Sequence, residues 1–184
     1  METFTWLPDH EYKEEIDYDV DRTVYAGGKQ QRYLNNPDPV VHKFYANFFN
    51  RSQDEIAQIV NFLKARKGTY EAFCYASRFE GDYAGAADSG TTTRCNDTAL
   101  DYADRFFCGR IIRFTSGSNE GEERQIIASG DGYVEWSTDY PLPFAVAADD
   151  EYVILYKVNL ASRIPPKSQR GIVRQINLVF EVSN

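Results

Sequence analysis

Cysteine, histidine and lysine are sparse or badly placed in this chain, and each scarcity closes off a class of function. The 184 residues hold three cysteines, Cys74, Cys95 and Cys108, with no C-x-x-C pair of the kind that builds a zinc or iron–sulfur site. An odd number does not make a secreted disulfide framework either, so three free thiols are expected. The two histidines, His10 and His42, lie in different segments with no nucleophile motif around them. G-x-S-x-G, H-E-x-x-H and the phosphate-binding G-x-x-x-x-G-K-[ST] are all missing. No enzyme activity, metal or cofactor is therefore expected. No apolar run approaches the roughly 18 residues that span a bilayer, so membrane insertion is not expected. The opening "METFTWLPDHEYKEE" lacks the basic and apolar regions of a secretory signal. A soluble protein made in a cytoplasm is the expectation.

What the chain does have is aromatic and acidic. Thirteen tyrosines and twelve phenylalanines bring the aromatic share to 15% within a hydrophobic share of 42%, enough for a core and for interfaces, and too much for a disordered chain. The net charge of -8 disfavours nucleic acid, because such a surface gains little from counterion release. Residues 1–80 carry 10 basic and 13 acidic groups, 81–156 carry 5 and 14, and 157–184 carry 5 and 1. The middle block has no lysine and the tail is basic, which marks a compositional boundary at each end of the block.

Along the chain the periodicity is mostly that of strands. In "YDVDRTVYA", Tyr18, Val20 and Val24 share one parity while Asp17, Asp19 and Asp21 take the other, which predicts a half-buried strand with a charged outer face. Gly27-Gly28 then breaks the run as a tight turn would. After the prolines of "NNPDPVV", "HKFYANFF" is an aromatic strand. Ser52 and Glu55 make a capping box, Ile56, Ile59, Val60 and Leu63 recur on one helical face, and Gly68 is the expected left-handed cap, so a helix is predicted over about 53–67. A strand in "TYEAFCY" follows, then "GDYAGAADSGT", whose small polar residues suit a linker. Beyond it come short strands in "GRIIRFTSG", "ERQIIAS", "GYVEWST" and "DEYVILYKV" with an irregular "YPLPFAVAAD" between the last two, a pattern for a small all-β barrel. At the end Ile176, Leu178, Phe180 and Val182 alternate with Asn177 and Glu181, as a core strand returning to the first sheet. The predicted architecture is mainly β, a sandwich or split barrel with one packed helix formed by 1–80 and 157–184, into which 81–156 inserts as a small β-barrel.

The stretch "FTSGSNEGEERQI" could be read as a ligand loop. "SGSNEG" lacks the lysine and following helix of a phosphate cradle, and "NEGEE" lacks the alternating ligands of an EF-hand loop. Gly117 and Gly121 can adopt positive φ and Asn119 tolerates it, so a hairpin turn with a solvated acidic tip is the expectation.

The block from Gly90 to Ile154 resembles a small β module widespread in tail, baseplate and fibre-adaptor proteins of bacteriophages. The resemblance is carried by Leu100, Ala103, Asp104, Phe106, Phe107 and Gly109, by Phe114 to Gly117 with Asn119, Gly121, Arg124 and Ile126, and by Pro141 to Pro143 with Asp150, Tyr152 and Ile154. Asp149 stands where that pattern has glycine. A related hairpin in a phage hub family precedes a cysteine-rich stretch tied to an iron–sulfur cluster. No cysteine follows Cys108 here, so the cluster is not carried over. The flanking parts resemble distal and minor tail proteins of long non-contractile tails, including the minor tail protein M type of lambdoid phages. Phe4, Trp6 and Pro8, the helix segment, and the "IPP" turn at Ile164 to Pro166 carry that likeness.

The resemblance implies a structural virion protein at the distal end of a tail, forming a homo-oligomeric, hexameric ring that joins the tail tube to the hub or fibre machinery. Its partners would be further copies, the tube protein, the hub and other tail-tip proteins. Candidate interaction residues are Glu120, Glu122 and Glu123 in the insert and Arg163, Lys167, Arg170 and Arg174 in the basic tail. An alternative function is host-surface or carbohydrate binding by aromatic residues of the insert, Trp136 above all. Tyr133 and Trp136 fall on opposite faces of their strand, so one of them belongs to the core.

Overall fold

The computed structural model describes residues 1–9, 12–35, 41–76, 83–163 and 175–183. The described residues are mainly β with one α-helix. In chain order the strands are β1 (Thr3–Phe4), β2 (Lys13–Asp17), β3 (Val20–Val24), β4 (Gln30–Leu34) and β5 (Val41–Phe48). The helix α1 (Gln53–Ala65) follows, then β6 (Phe73–Tyr75), β7 (Tyr83–Ala86), β8 (Ser89–Gly90) and β9 (Arg94–Asn96). The series closes with β10 (Ile111–Phe114), β11 (Glu123–Gly130), β12 (Tyr133–Trp136), β13 (Glu151–Leu160) and β14 (Ile176–Val182). Two compact units result: Pro8–Glu71 with Asn159–Val182, and Met1–Leu7 with Ala72–Val158 and Ser183–Asn184. The second unit, called the module below, thus takes in β1 and β6 as well as the acidic block.

In the first unit β5 lies between β2 and β14, antiparallel to both. Register explains its core. Phe44 stands opposite Phe180, Ala46 opposite Leu178 and Phe48 opposite Ile176, and residues opposite one another share a face of the sheet. All six are buried, while Asn177 between them is exposed. The alternation predicted for this last strand is therefore present through Phe180, while Glu181 and Val182 are both half-buried, and the strand does return to the first half's sheet. The helix starts as its sequence predicts: Ser52 Oγ accepts from the Glu55 N–H at 3.2 Å, and Glu55 Oε2 accepts from the Ser52 N–H at 3.0 Å. That backbone donor holds the Glu55 carboxyl below the usual carboxylate range. Ile56, Ile59, Val60 and Leu63 are its buried face. Its end differs from the expectation. The helix stops at Ala65, Gly68 takes the expected left-handed conformation (φ 70°) but Lys67 before it does so too (φ 54°), and the N–H of Gly68 reaches Leu63 O at 3.0 Å while that of Lys67 reaches Lys64 O at 2.9 Å. This is a Schellman closure with lysine at the position where glycine is commonest.

The expected half-buried strand over Asp17 to Val24 does not exist as such. The chain leaves the sheet after Asp17, and among the described residues β3 pairs only with β4, as a two-stranded ribbon turned by Gly27 (φ 105°) and Gly28 (φ 80°). All ten residues of the two strands are exposed. Alternation survives in the sequence, yet among the described residues no second layer covers the parity that carries exposed Val20 and Val24.

In the module the strands follow the order β7-β13-β10-β11-β12-β9-β8. Because only Ala87 and Asp88 separate β7 from β8, the order ends where it began and the sheet curls around one core. That core contains Phe107, Ile112, Phe114, Ile126, Val134, Trp136 and Tyr152. No strand forms between Trp136 and Glu151, in keeping with its prolines. The predicted linker is a correction: Tyr83–Ala86 is strand β7, paired along β13 from Tyr83↔Ile154 to Ala86↔Glu151. Its small residues answer to close packing, not to flexibility. A Cβ on Gly85 would lie 2.5 Å from Asp97 Oδ2 and 2.8 Å from the Tyr152 hydroxyl, two buried groups that bond to each other at 2.6 Å. Residues 81 and 82 of that segment lie outside the described residues. The strand predicted in "TYEAFCY" is present only as β6, which is buried at all three positions because it sits between β1 and β13.

Candidate functional site

The loop between β10 and β11 is built to hold its own shape. Gly117 (φ 78°) and Gly121 (φ 85°) take the positive φ predicted for them, and the N–H of Gly121 donates to Phe114 O at 2.9 Å to close the hairpin. Asn119 has a different role from the one expected. It is fully buried; its Nδ2 donates to Phe144 O and its Oδ1 accepts from Phe144 N, both at 3.2 Å, so it clamps the proline-containing connector. The loop is a hairpin turn whose polar residues serve the fold.

The three glutamates differ in what they leave free. Glu123 is held by Arg113 and by the amino group of Met1, and Glu122 pairs with Arg124 at 2.8 Å. Glu120 is exposed on the turn that leads into β11. Arg124 is committed as well, donating to the carbonyls of Tyr140 at 2.8 Å and Pro141 at 2.7 Å. Elsewhere in the module, Arg94 pairs with Glu135 at 2.9 Å and lies over the Tyr133 ring. Arg110 is buried among four rings, 4.0 Å from the centroid of Tyr156, 4.8 Å from Phe106, 5.0 Å from Tyr83 and 5.3 Å from Phe107. Since these arginines are engaged internally, exposed Asp101, Asp104, Glu120, Asp131, Asp139 and Asp149 give the module an acidic exterior.

Trp136 is not available as a stacking platform for a sugar. It is 2% exposed in the module core, and its indole N–H donates to Thr92 O at 3.0 Å. Tyr133 lies on the other parity, as its spacing predicts, but the Arg94 guanidinium covers its ring at 4.1 Å. The connector exposes two aromatic side chains, Tyr140 and Phe144. Tyr140 borders an open groove of about 700 Å³ lined also by Gln125, Ile127, Asp139 and Pro141, with Trp136 and Arg124 contributing to its floor. Tyr140 and Ile127 make its rim apolar, and Asp139 is an exposed carboxylate beside them.

In the first unit the feature that sequence reasoning missed is the exposed ribbon. Ile16, Tyr18, Val20, Val24, Tyr25, Tyr33 and Leu34 are all large hydrophobic residues left at the surface around it. A two-stranded ribbon is at best marginally stable alone, and large exposed apolar patches are commonly interaction sites. Of the basic tail residues anticipated as an interaction surface, Arg163 is exposed, and Lys167, Arg170 and Arg174 lie outside the described residues. His42, near the start of β5, bonds through Nε2 to Glu14 Oε1 at 2.5 Å and sits against Phe44; His10 lies outside the described residues.

All three thiols are free. Burial pushes the Cys74 thiol up to about 11; burial, with the nearby Asp97, Asp150 and Asp88 carboxylates, pushes that of Cys95 up to about 12. Cys108 is only half-buried. Native protein treated with a thiol reagent at neutral pH is expected to be labelled rapidly at Cys108 alone, and mass spectrometry of peptides checks this. Rapid labelling of Cys74 or Cys95 without denaturant would contradict the burial described.

Among the described residues, no group of three or more His, Cys, Asp or Glu side chains is placed to hold a metal ion, and no helix is long and apolar enough to cross a membrane. A scan against protein-family models finds no match to the chain, and a search of the curated proteins finds none either.

Proposed function

We propose that this chain is a structural protein at the distal end of a bacteriophage tail, assembling as a ring that joins the tail tube to the hub or fibre machinery. The observation that carries the reading is the exposed β3–β4 ribbon with its apolar side chains, a surface that calls for a protein neighbour. The tail-module likeness of Gly90 to Ile154 supplies the context, and its marks serve folding: Gly117, Gly121 and Asn119 shape a loop. A closed ring uses two different surfaces of one chain in a head-to-tail contact, which suits an acidic module on a chain that also carries an exposed ribbon.

Size-exclusion chromatography with mass measurement tests the assembly. The expected product is a defined multiple of 21.1 kDa, six-fold by the resemblance, and a stable monomer at high concentration would count against the ring.

A second reading, glycan binding at the host surface, draws on Tyr140, which is 73% exposed beside Asp139 and Gln125 in the groove. It predicts that Tyr140→Ser abolishes binding to cell-wall glycan while the fold is kept.

A further inference from the structure

We propose that the β3–β4 ribbon of one copy docks into the Tyr140 groove of a second copy, with Arg22 and Arg32 meeting its acidic rim at Asp139. This rests on the self-assembling role above and names the two surfaces that would meet. Across the ribbon Val20 pairs with Leu34, Arg22 with Arg32 and Val24 with Gln30, and residues directly opposite share a face. One face therefore carries two guanidinium groups side by side, flanked by apolar side chains.

Like charges directly opposite on paired strands are destabilising, and among the described residues the ribbon has no third strand to offset that. No carboxylate of the described residues pairs with either arginine. Both the charge and the exposed valines and leucine ask for an occupant that is acidic and partly apolar.

The chain offers such a surface in its module. The groove presents Ile127 and Tyr140, 58% and 73% exposed, next to Asp139. Its one cation among the described residues, Arg124, is already engaged by Glu122 and three carbonyls, so it does not repel an incoming guanidinium with an unopposed charge. Glu120 adds an exposed carboxylate on the turn before β11. Ribbon and groove are different surfaces, so their contact is head-to-tail and each copy both gives and receives, as ring closure requires. Charge complementarity sets partner choice and orientation, and the apolar rim excludes water around it.

The test is a charge swap read by sedimentation equilibrium. Arg22→Glu with Arg32→Glu in one variant, and Glu120→Lys with Asp139→Lys in another, are each expected to weaken self-association by about tenfold or more. An equimolar mixture of the two is expected to recover it, as is a single chain carrying all four changes, because both contacts are then again between opposite charges. Wild-type association should also fall with added salt. If the wild type assembles and either variant assembles equally well, the docking is overturned while the ring reading stands. The docking is likewise overturned if both variants are weakened and neither the mixture nor the four-residue chain recovers, or if Tyr140→Ser abolishes glycan binding without changing assembly. A wild type that stays monomeric at every concentration overturns the self-assembly on which the docking rests.

Discussion

Replacing Gly117 by alanine is expected to destabilise the module by about 2–5 kcal/mol, the sum of left-handed strain and overpacking. The residue has φ 78°, which an L side chain adopts at a cost of roughly 1–2 kcal/mol. The larger part comes from space. A Cβ there would lie 1.9 Å from Asp150 Oδ1 and 2.6 Å from its Cγ. Asp150 cannot swing aside freely: it is buried, its Oδ2 accepts from the Ala147 N–H at 2.9 Å, and its carbonyl accepts from the Ala87 N–H at 2.9 Å. Moving it would undo the turn that leads into β13. Gly121→Ala is the control, since Gly121 has nearly the same φ, 85°, and open space around it. Thermal denaturation should place the Gly121 variant about 2–8 °C below wild type and the Gly117 variant well below that, at roughly 2–4 °C per kcal/mol for a chain of this size. Equal losses in the two would show that the Asp150 contact is not what makes Gly117 necessary.

Arg110→Ala is expected to cost about 3–5 kcal/mol, on the scale of truncating a large buried side chain. The guanidinium lies between the rings of Tyr156, Phe106, Tyr83 and Phe107, and the last three pack edge-on against one another, as Phe106 and Phe107 do at 5.0 Å with an 84° interplanar angle. A desolvated cation over an aromatic face contributes roughly 2 kcal/mol, and the contributions of several rings do not simply add. Removing the side chain also leaves a space that four aromatic groups cannot all collapse into. Arg110→Met separates the two effects, because it keeps most of the apolar stem and loses the charge. It should retain part of the stability, with a loss of about 2 kcal/mol in chemical denaturation. A methionine variant as stable as wild type would mean that the rings need bulk at this position and not a cation.

Local signals were legible in the sequence wherever neighbours in the chain set the structure. The capping box at Ser52 and Glu55 marked the helix start, the alternation of Ile176, Leu178 and Phe180 marked a core strand, and Gly117 and Gly121 marked a turn. What failed depended on residues far away. The small residues of β7 look like a linker until Tyr152 and Asp97 are seen to crowd Gly85. Asn119 looks like a turn residue until its amide meets Phe144, 25 positions on. Periodicity placed Tyr133 and Trp136 on opposite faces, but only the curl of the sheet made Trp136 the buried one. The ribbon is the clearest case. Its parity pattern in β3 is that of a half-buried strand, and nothing local says whether a second layer exists to bury it. The juxtaposition of its arginines became visible only once Gly27 and Gly28 had folded Arg22 onto Arg32.

The central claim, a ring-forming protein at the tail's distal end, is tested most directly by imaging the intact particle with this chain labelled by a specific antibody. The account predicts label at a ring between the tube and the tip, with several copies per particle around the tail axis. Label absent from the particle, or confined to one copy or to the head, would contradict it.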